Sequence, residues 1–165
     1  MERHWNRRPP RRTLVLVLCL VVAHLPGLIG SQFVTPQSLA WYRSLAQPWF
    51  SPPRWVFGPV WGVLYTLTGI AFYLALTSQS KSGSRPRLLF VFSLQLVLNA
   101  TYTPVFFGLR SLQGGLTICA VLLPVIVWTM REFQHYSYVA AGLLAPYALW
   151  VLFATVLSGA LIRLN

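Results

Sequence analysis

The chain alternates between long apolar runs and short polar connections. Five runs cover residues 14–29, 55–76, 88–109, 116–130 and 139–161. Most of them approach the roughly 20 apolar residues that a helix needs to cross the hydrocarbon core of a membrane. The connections after the second, third and fourth runs are short, so consecutive helices are expected to pack as antiparallel neighbours. The pattern predicts an all-α membrane protein, a bundle of five transmembrane helices.

The longer connection between the first two runs contains a short helix of its own. Thr35 is a suitable N-cap, and Pro36 fits the first helical position. Pro48 is predicted to end this helix. Trp41 and Tyr42 are then expected at the level of the lipid headgroups, where aromatic side chains with a polar end are enriched.

Composition supports the membrane assignment. Hydrophobic residues make up 56% of the 165 residues and charged residues 9%, whereas a soluble domain has roughly 45–50% and about 25%. Such a chain has too few polar side chains to cover a surface that faces water. Residues 1–13 are interpreted as a basic N-terminal leader, followed by a retained first span, and residues 14–165 as a single five-helix domain.

The distribution of Lys and Arg residues predicts how the chain is oriented in the membrane. The net charge of +11 comes from short clusters between the apolar runs, which is typical of membrane topology and does not favour nucleic-acid binding. With the N-terminus inside, nine Lys and Arg residues lie on one side and four on the other. This predicts the N-terminus in the cytoplasm of a bacterial inner membrane; a mitochondrial or other organellar outer membrane is the alternative.

Polar side chains inside the third run indicate a buried site. Gln95 and Asn99 lie one helical turn apart, and Tyr102 and Phe106 continue the same face. Carboxamides in hydrocarbon are costly without partners, so they are expected to face the interior of the bundle. Two roles stay open for them, hydrogen bonding between helices and ligand binding.

The second run places aromatic rings below the membrane surface. Trp61 lies six residues beyond Trp55, which is about 9 Å deeper in a helix. Tyr65 follows one turn later, and the stripe continues to Phe72. Such a stripe forms either packing or ligand surface. The glycine pair with GxxxG spacing that begins at Gly58 allows helices to approach closely.

The fifth run repeats the arrangement with Tyr147, Trp150, Ala154 and Ser158. Three helices thus offer deep rings together with hydroxyl or amide groups. Together they could enclose a flat apolar ligand that has a few polar edges.

Several chemistries lack the residues that they need. The acids Glu2 and Glu132 are both predicted outside the spans, so no carboxylate pair is available for acid–base hydrolysis. His24 is the histidine within a run, and a packing role is favoured for it over metal ligation. Cys19 and Cys119 both lie in apolar runs, which favours buried thiols over a disulfide. No metal site and no required cofactor are expected.

Three stretches resemble the TspO/MBR family, that of the translocator and peripheral-type benzodiazepine receptor proteins. They are WYRSLAQPWFSPPRWVFGPVWGVLYTLTGIA, LQLVLNATYTPVFFG and LLAPYALWVLFATVLSGALIRLN, and the resemblance runs in register from about residue 27 to 165. It implies a five-helix bundle, a homodimer, and a pocket for tetrapyrroles such as protoporphyrin IX. Tyr102 stands where the family usually has tryptophan, and Ser158 where asparagine is frequent.

The resemblance assigns ligand-binding roles to residues matched by motif, and three rings on the same helix faces join them. The candidate ligand-binding residues are Trp61, Tyr65, Gln95, Asn99, Tyr102, Phe106, Tyr147, Trp150 and Ala154.

The expected function is that of a tetrapyrrole-binding membrane protein, acting as sensor, regulator or carrier. One alternative is an enzyme that degrades porphyrin in light, as some bacterial members do, with Trp61 and Trp150 as the reactive rings. Another is a translocator of cholesterol or lipid. Cholesterol is less expected because no aromatic residue precedes Arg163 at the C-terminal end. The expected partners are the tetrapyrrole, membrane lipid and a second copy of the chain.

Overall fold

A computed structural model describes residues 10–79 and 83–165. Residues 1–9, most of the predicted leader, and Lys81 in the second connection lie outside the described residues. Within those ranges the chain folds into seven α-helices and no strand. The helices are α1 (Pro10–Ser31), α2 (Pro36–Ser44), α3 (Phe57–Thr77), α4 (Arg85–Thr103), α5 (Leu112–Gln134), α6 (Tyr138–Gly142) and α7 (Ala145–Leu164).

Two short turns extend the helices. A single 3₁₀ turn, Arg54–Val56, leads into α3, and a π-helical turn, Pro104–Gly108, continues α4. In the described chain, five helical stretches are long and apolar enough to cross a membrane. They are Arg11–Ser31, Arg54–Thr77, Arg85–Gly108, Leu112–Gln134 and Tyr138–Leu164. The predicted all-α bundle of five membrane helices, with a short helix in the first connection, is confirmed.

The first membrane helix continues through Pro26 and begins at Pro10, four residues before the predicted start of the run. The small residues that follow Pro26 are sites of close contact. A methyl group added at Gly27 would lie 2.6 Å from the Tyr65 ring, and one added at Gly30 would lie 2.8 Å from the Thr103 hydroxyl. Proline is tolerated in membrane helices whose neighbours pack tightly around it.

The fourth membrane helix is longer than the predicted run 116–130. It starts at Leu112, where the Ser111 hydroxyl accepts a hydrogen bond from the Gly114 amide at 3.0 Å and caps the helix. It continues past Pro124 to Gln134. Glu132, predicted outside the spans, therefore lies in the last turn of the helix that forms the fourth candidate span. This carboxylate is buried in the last turn of α5, 3.4 Å from the Arg87 guanidinium.

The fifth run contains a break that the sequence pattern did not reveal. The short α6 is capped by Ser137 and ends at Gly142, and α7 starts at Ala145. Pro146 lies in the first turn of α7, where the missing N–H of proline costs no helical hydrogen bond.

The short surface helix α2 forms largely as predicted. Thr35 caps it, and Thr35 and Ser38 exchange side chain-to-backbone hydrogen bonds in a capping box. The helix ends at Ser44, four residues before Pro48, so the prediction that Pro48 ends it is wrong. Tyr42 is buried against Phe106, so its ring packs inside the protein.

The two ends of the bundle differ in packing. At the end where α3 finishes and α4 starts, the rings of Phe72 and Phe92 stack with centroids 3.6 Å apart, and Phe133 packs against both. Arg85 also closes this end, because its guanidinium donates to the Ala75 carbonyl at 2.9 Å and lies over the Tyr136 ring. The opposite end, under α2, contains the cavity described next.

Candidate ligand pocket

A cavity of about 520 Å³ opens at the α2 end of the bundle. Its walls come from α1, α2, the start of α3, the end of α4 with its π turn, and the last turns of α7. Five of the predicted ligand-binding residues line it: Trp61, Tyr65, Asn99, Tyr102 and Phe106. The structure thus brings side chains of α3 together with side chains of α4 and its π turn, which lie more than 30 residues later in the sequence.

One wall is a pair of rings on α3. Trp61 and Tyr65 are one turn apart, so their side chains lie on the same face of the helix. Their rings stack with centroids 5.2 Å apart and an angle of 25° between planes. The same stripe continues to Thr68 and Phe72, which are buried in the core of the bundle. The aromatic stripe therefore forms cavity wall at its first two positions and packing at its last two.

Asn99 is the polar centre of the pocket. Its Oδ1 accepts a hydrogen bond from the Tyr65 hydroxyl, and its Nδ2 donates to the Tyr147 hydroxyl, both at 2.9 Å. The Tyr147 ring also meets the Trp61 ring edge-on at 6.1 Å. Tyr147 does not line the cavity; it holds Asn99 and Trp61 in place from behind. These bonds tie α3, α4 and α7 together around one carboxamide.

The opposite wall begins where α4 changes to a π turn. The rings of Tyr102 and Phe106 stack at 5.4 Å, and the Trp41 ring of α2 meets Phe106 edge-on at 5.7 Å. A π turn is wider than an α turn and is frequent at functional sites. It begins at Pro104, which has no N–H to continue the α-helical hydrogen bonds.

Three of the other predicted residues lie outside the cavity wall. Gln95 is completely buried one turn below Asn99, and neither its Oε1 nor its Nε2 has a hydrogen-bond partner. Trp150 packs edge-on against Phe57 at 5.7 Å, behind the wall. Ala154 is partly buried on α7. Ligand binding by these residues stays a prediction.

Sequence reasoning missed the contribution of α1 and α2 to the pocket. His24, for which a packing role was expected, lines the cavity while its Nδ1 donates to the Leu20 carbonyl at 2.8 Å. Gly27 and Gly30 on the same helix also line the cavity, and Tyr42 adds a ring from α2. The small residues just after Pro26 indicate that another part of the bundle comes close to α1. The sequence of one chain does not say which helix that is.

The charge in the pocket comes from Arg54. Among the described residues that line the cavity, it is the one with a permanent charge, and it is exposed to solvent. The described residues contain no cluster of three or more His, Cys, Asp or Glu side chains that could hold a metal ion. An apolar cavity with stacked rings, one carboxamide and a cation at its rim can hold a flat, apolar guest that has an anionic edge.

Comparison with known proteins shows which family has this architecture. The model of the TspO/MBR family matches residues 15–164. The chain is 36% identical to Tryptophan-rich protein TspO of Chlorobaculum tepidum over 94% of this chain and 98% of the relative. It is also 36% identical to Tryptophan-rich protein TspO of Archaeoglobus fulgidus, over 92% of this chain and 97% of the relative.

A human protein is similar as well: the Translocator protein of Homo sapiens is 36% identical over 79% of this chain and 78% of the relative. Five membrane-length helices make the protein an integral, multi-pass membrane protein, and the bacterial and archaeal relatives support the predicted bacterial membrane. Because the family model covers nearly the whole chain and these relatives align over most of their length, the chain belongs to the TspO/MBR family.

Proposed function

We propose that the protein binds a tetrapyrrole of the protoporphyrin IX type in the α2-end cavity, and acts as a membrane sensor, regulator or carrier of it. The observation that carries the proposal is the stacked pair Trp61–Tyr65 beside the fixed carboxamide of Asn99, within one cavity of about 520 Å³. That volume lies within the roughly 300–1,000 Å³ of typical ligand pockets.

The chemistry of the walls suits such a ligand. A porphyrin is a large flat π-system, and aromatic rings bind it in offset or edge-on contact, each worth roughly 0.5–1.5 kcal/mol beyond the buried area. Trp61, Tyr65, Tyr102 and Phe106 supply rings on two sides of the cavity. Arg54 at the rim could pair with the propionate groups, because a guanidinium and a carboxylate form two parallel hydrogen bonds.

The central experiment is a titration of the purified protein in detergent with protoporphyrin IX, followed by tryptophan emission and by the porphyrin absorption band. We expect saturable binding, and a Kd that rises between about two- and tenfold in Trp61→Ala, since 1.4 kcal/mol corresponds to a factor of ten. Trp49→Ala is the matched control, because Trp49 is 95% exposed and does not line the cavity. Equal affinity of Trp61→Ala and the parent would rule out the pocket assignment.

The same titration tests the role of Arg54 by comparing two ligands, protoporphyrin IX and its dimethyl ester. Arg54→Gln should weaken binding of protoporphyrin IX and leave binding of its dimethyl ester unchanged, because the ester carries no propionate charge. Arg43→Gln, an exposed arginine on α2 that does not line the cavity, should change neither. Loss of affinity for both ligands in Arg54→Gln would show a packing role in place of charge recognition.

A light-dependent porphyrin-degrading activity is the second candidate. It is favoured by the position of the Trp61 indole in the cavity wall, in stacking contact with Tyr65, where it could donate an electron to an excited guest. Illumination of the titrated sample separates the two functions. Stable porphyrin absorption supports a binding protein, and a loss that disappears in Trp61→Phe supports the enzyme. Trp150, the second predicted reactive ring, packs behind the wall and serves as the comparison variant.

Two further expectations stay predictions. Translocation of cholesterol or another lipid would use the same cavity, and a competition titration with cholesterol tests it. A homodimer is implied by the family, and the mass of the protein in detergent measures it.

A further inference from the structure

A second hollow lies on the lipid-facing surface, between α5 and α7. This groove has a volume of about 420 Å³. Leu123 and Val127 of α5 and Leu149 and Leu152 of α7 supply apolar side chains to its walls. It is separate from the α2-end cavity, with which it shares no lining residue.

The dimensions of the groove fit one acyl chain. From Leu123 to Gln134 it follows α5 over 12 residues, whose 11 intervals span about 16 Å at 1.5 Å per residue. That is the depth of one leaflet, about half of the 30 Å hydrocarbon core. A volume of about 420 Å³ spread over this length makes the groove long and narrow, a shape that suits one extended acyl chain. Ala145 and Ala148 leave this narrow space because their side chains are small.

The end of the groove near the membrane surface is polar. Arg131 and Gln134, in the last turn of α5, line it there and are both exposed. Within the part of the chain that the structure describes, Arg131 forms no ion pair, and the neighbouring carboxylate of Glu132 is bound to Arg87. A guanidinium without a carboxylate partner is suited to a phosphate group, to which it can donate two hydrogen bonds.

The same end of the bundle carries more positive charge. Arg11 and Arg12 at the start of α1, and Arg85 at the start of α4, are exposed there, whereas the charge of Arg87 is paired with Glu132. Each basic residue close to the membrane surface attracts anionic lipid by about 1 kcal/mol. This charge favours a lipid with a net negative headgroup over a zwitterionic one.

We propose that the groove between α5 and α7 is a binding site for one anionic phospholipid. Its phosphate pairs with Arg131 and accepts a hydrogen bond from Gln134. One acyl chain lies along Leu123, Val127 and Leu152 toward the middle of the membrane. The proposal does not depend on the ligand of the α2-end cavity, because the two sites share no residue.

Native mass spectrometry of the full chain released from detergent tests the charge requirement. The protein is incubated with equal amounts of palmitoyl-oleoyl phosphatidylglycerol and phosphatidylcholine. We expect one tightly retained phosphatidylglycerol, and at least a threefold drop in its occupancy in Arg131→Gln. Arg12→Gln is the matched control: it removes the same charge from the same end but outside the groove, so it should lower the occupancy less than Arg131→Gln does. Equal occupancy in the two variants, or no preference between the two lipids, overturns the proposal.

A second pair of variants tests the shape. Val127→Trp fills the groove at a partly exposed position, and Val121→Trp places the same bulk on the lipid-facing surface of α5 outside it. We expect loss of bound lipid only in Val127→Trp. If Val127→Trp instead changes the proportion of dimer at constant lipid occupancy, the groove is an interface between copies and the proposal is wrong. Displacement of the lipid by millimolar glycerol phosphate would show a site for phosphate alone and would also overturn it.

Discussion

Gln95 and Asn99 show how far a polar pattern can be interpreted. Both amides lie on one face of α4, and the sequence predicted that both turn into the bundle, which they do. Their surroundings differ, because Asn99 bonds two tyrosine hydroxyls while both amide atoms of Gln95 lack a partner. The apolar environment predicts that such groups turn inward, but their partners come from Tyr65 and Tyr147 on other helices. Spacing along one helix holds no information about those positions.

Replacing Gln95 by methionine should stabilise the protein. The two side chains have similar shapes, and the change removes an unpaired buried amide that costs about 1–3 kcal/mol. We expect a higher midpoint of thermal unfolding in detergent, with unchanged porphyrin affinity. Asn99→Leu is the control. It should lower the midpoint of thermal unfolding, since it leaves the hydroxyls of Tyr65 and Tyr147 without their partner. A lower midpoint and weaker porphyrin binding in Gln95→Met would identify Gln95 as a ligand-binding group.

The helices themselves were predictable as membrane spans, but their ends were not. The apolar run of α5 stops at residue 130 because Arg131 and Glu132 are charged, yet the helix continues to Gln134, where the Glu132 carboxylate is bound by Arg87. The break between α6 and α7 lies inside an apolar stretch that contains no polar marker. Some ends are set by contacts with other elements and others by local caps and prolines, and a hydrophobic pattern contains neither.

The glycines of α3 also separate into two kinds. Gly58 and Gly62, the pair with GxxxG spacing, line the cavity. A methyl group added at either position would have no atom within 4 Å. At Gly69 a methyl group would lie 2.9 Å from the Leu20 Cα and 3.2 Å from the Cys19 carbonyl oxygen of α1. In the described chain, the close approach of α1 and α3 thus depends on Gly69 and not on the motif pair.

Gly69→Ala should therefore destabilise the bundle. The added methyl group forces the backbones of α1 and α3 apart, and overpacking of this kind costs about 1–3 kcal/mol. Gly159→Ala in α7 is the matched control, because nothing lies within 4 Å of the added carbon there and alanine favours a helix by roughly 0.5–1 kcal/mol. Thermal unfolding in detergent should move in opposite directions for the two variants. A shift of the same sign in both would show that α1 can move away from α3 at little cost.

The antiparallel order of the helices separates the charges of the whole molecule. In the described chain, Arg11, Arg12, Arg85, Arg87 and Arg131 lie at one end of the bundle, and Arg43, Arg54, Arg110 and Arg163 at the other. With the first nine residues and Lys81 the count becomes nine against four, and the five arginines before residue 13 make the difference. The predicted orientation, with the N-terminus inside, depends on that segment.

Changing those five arginines to glutamine leaves four basic residues on each side, so we expect a mixed orientation in a bacterial inner membrane. Fusions of a fluorescent protein and of alkaline phosphatase to the C-terminal end measure the two populations. The parent should show phosphatase activity, since its C-terminal end is predicted to lie outside. When Arg43, Arg110 and Arg163 on the other side are changed to glutamine instead, all molecules should keep the orientation of the parent. An unchanged orientation in the five-arginine variant would show that the leader does not set the topology.

The stack of Phe72, Phe92 and Phe133 has a consequence for traffic through the protein. It fills the bundle at the end opposite α2, and Arg85 is hydrogen-bonded across the same end. Among the described residues, this packing closes the interior of the bundle at the end opposite the α2-end cavity. A guest in that cavity could reach the other end through the interior of the bundle only if these three rings moved apart.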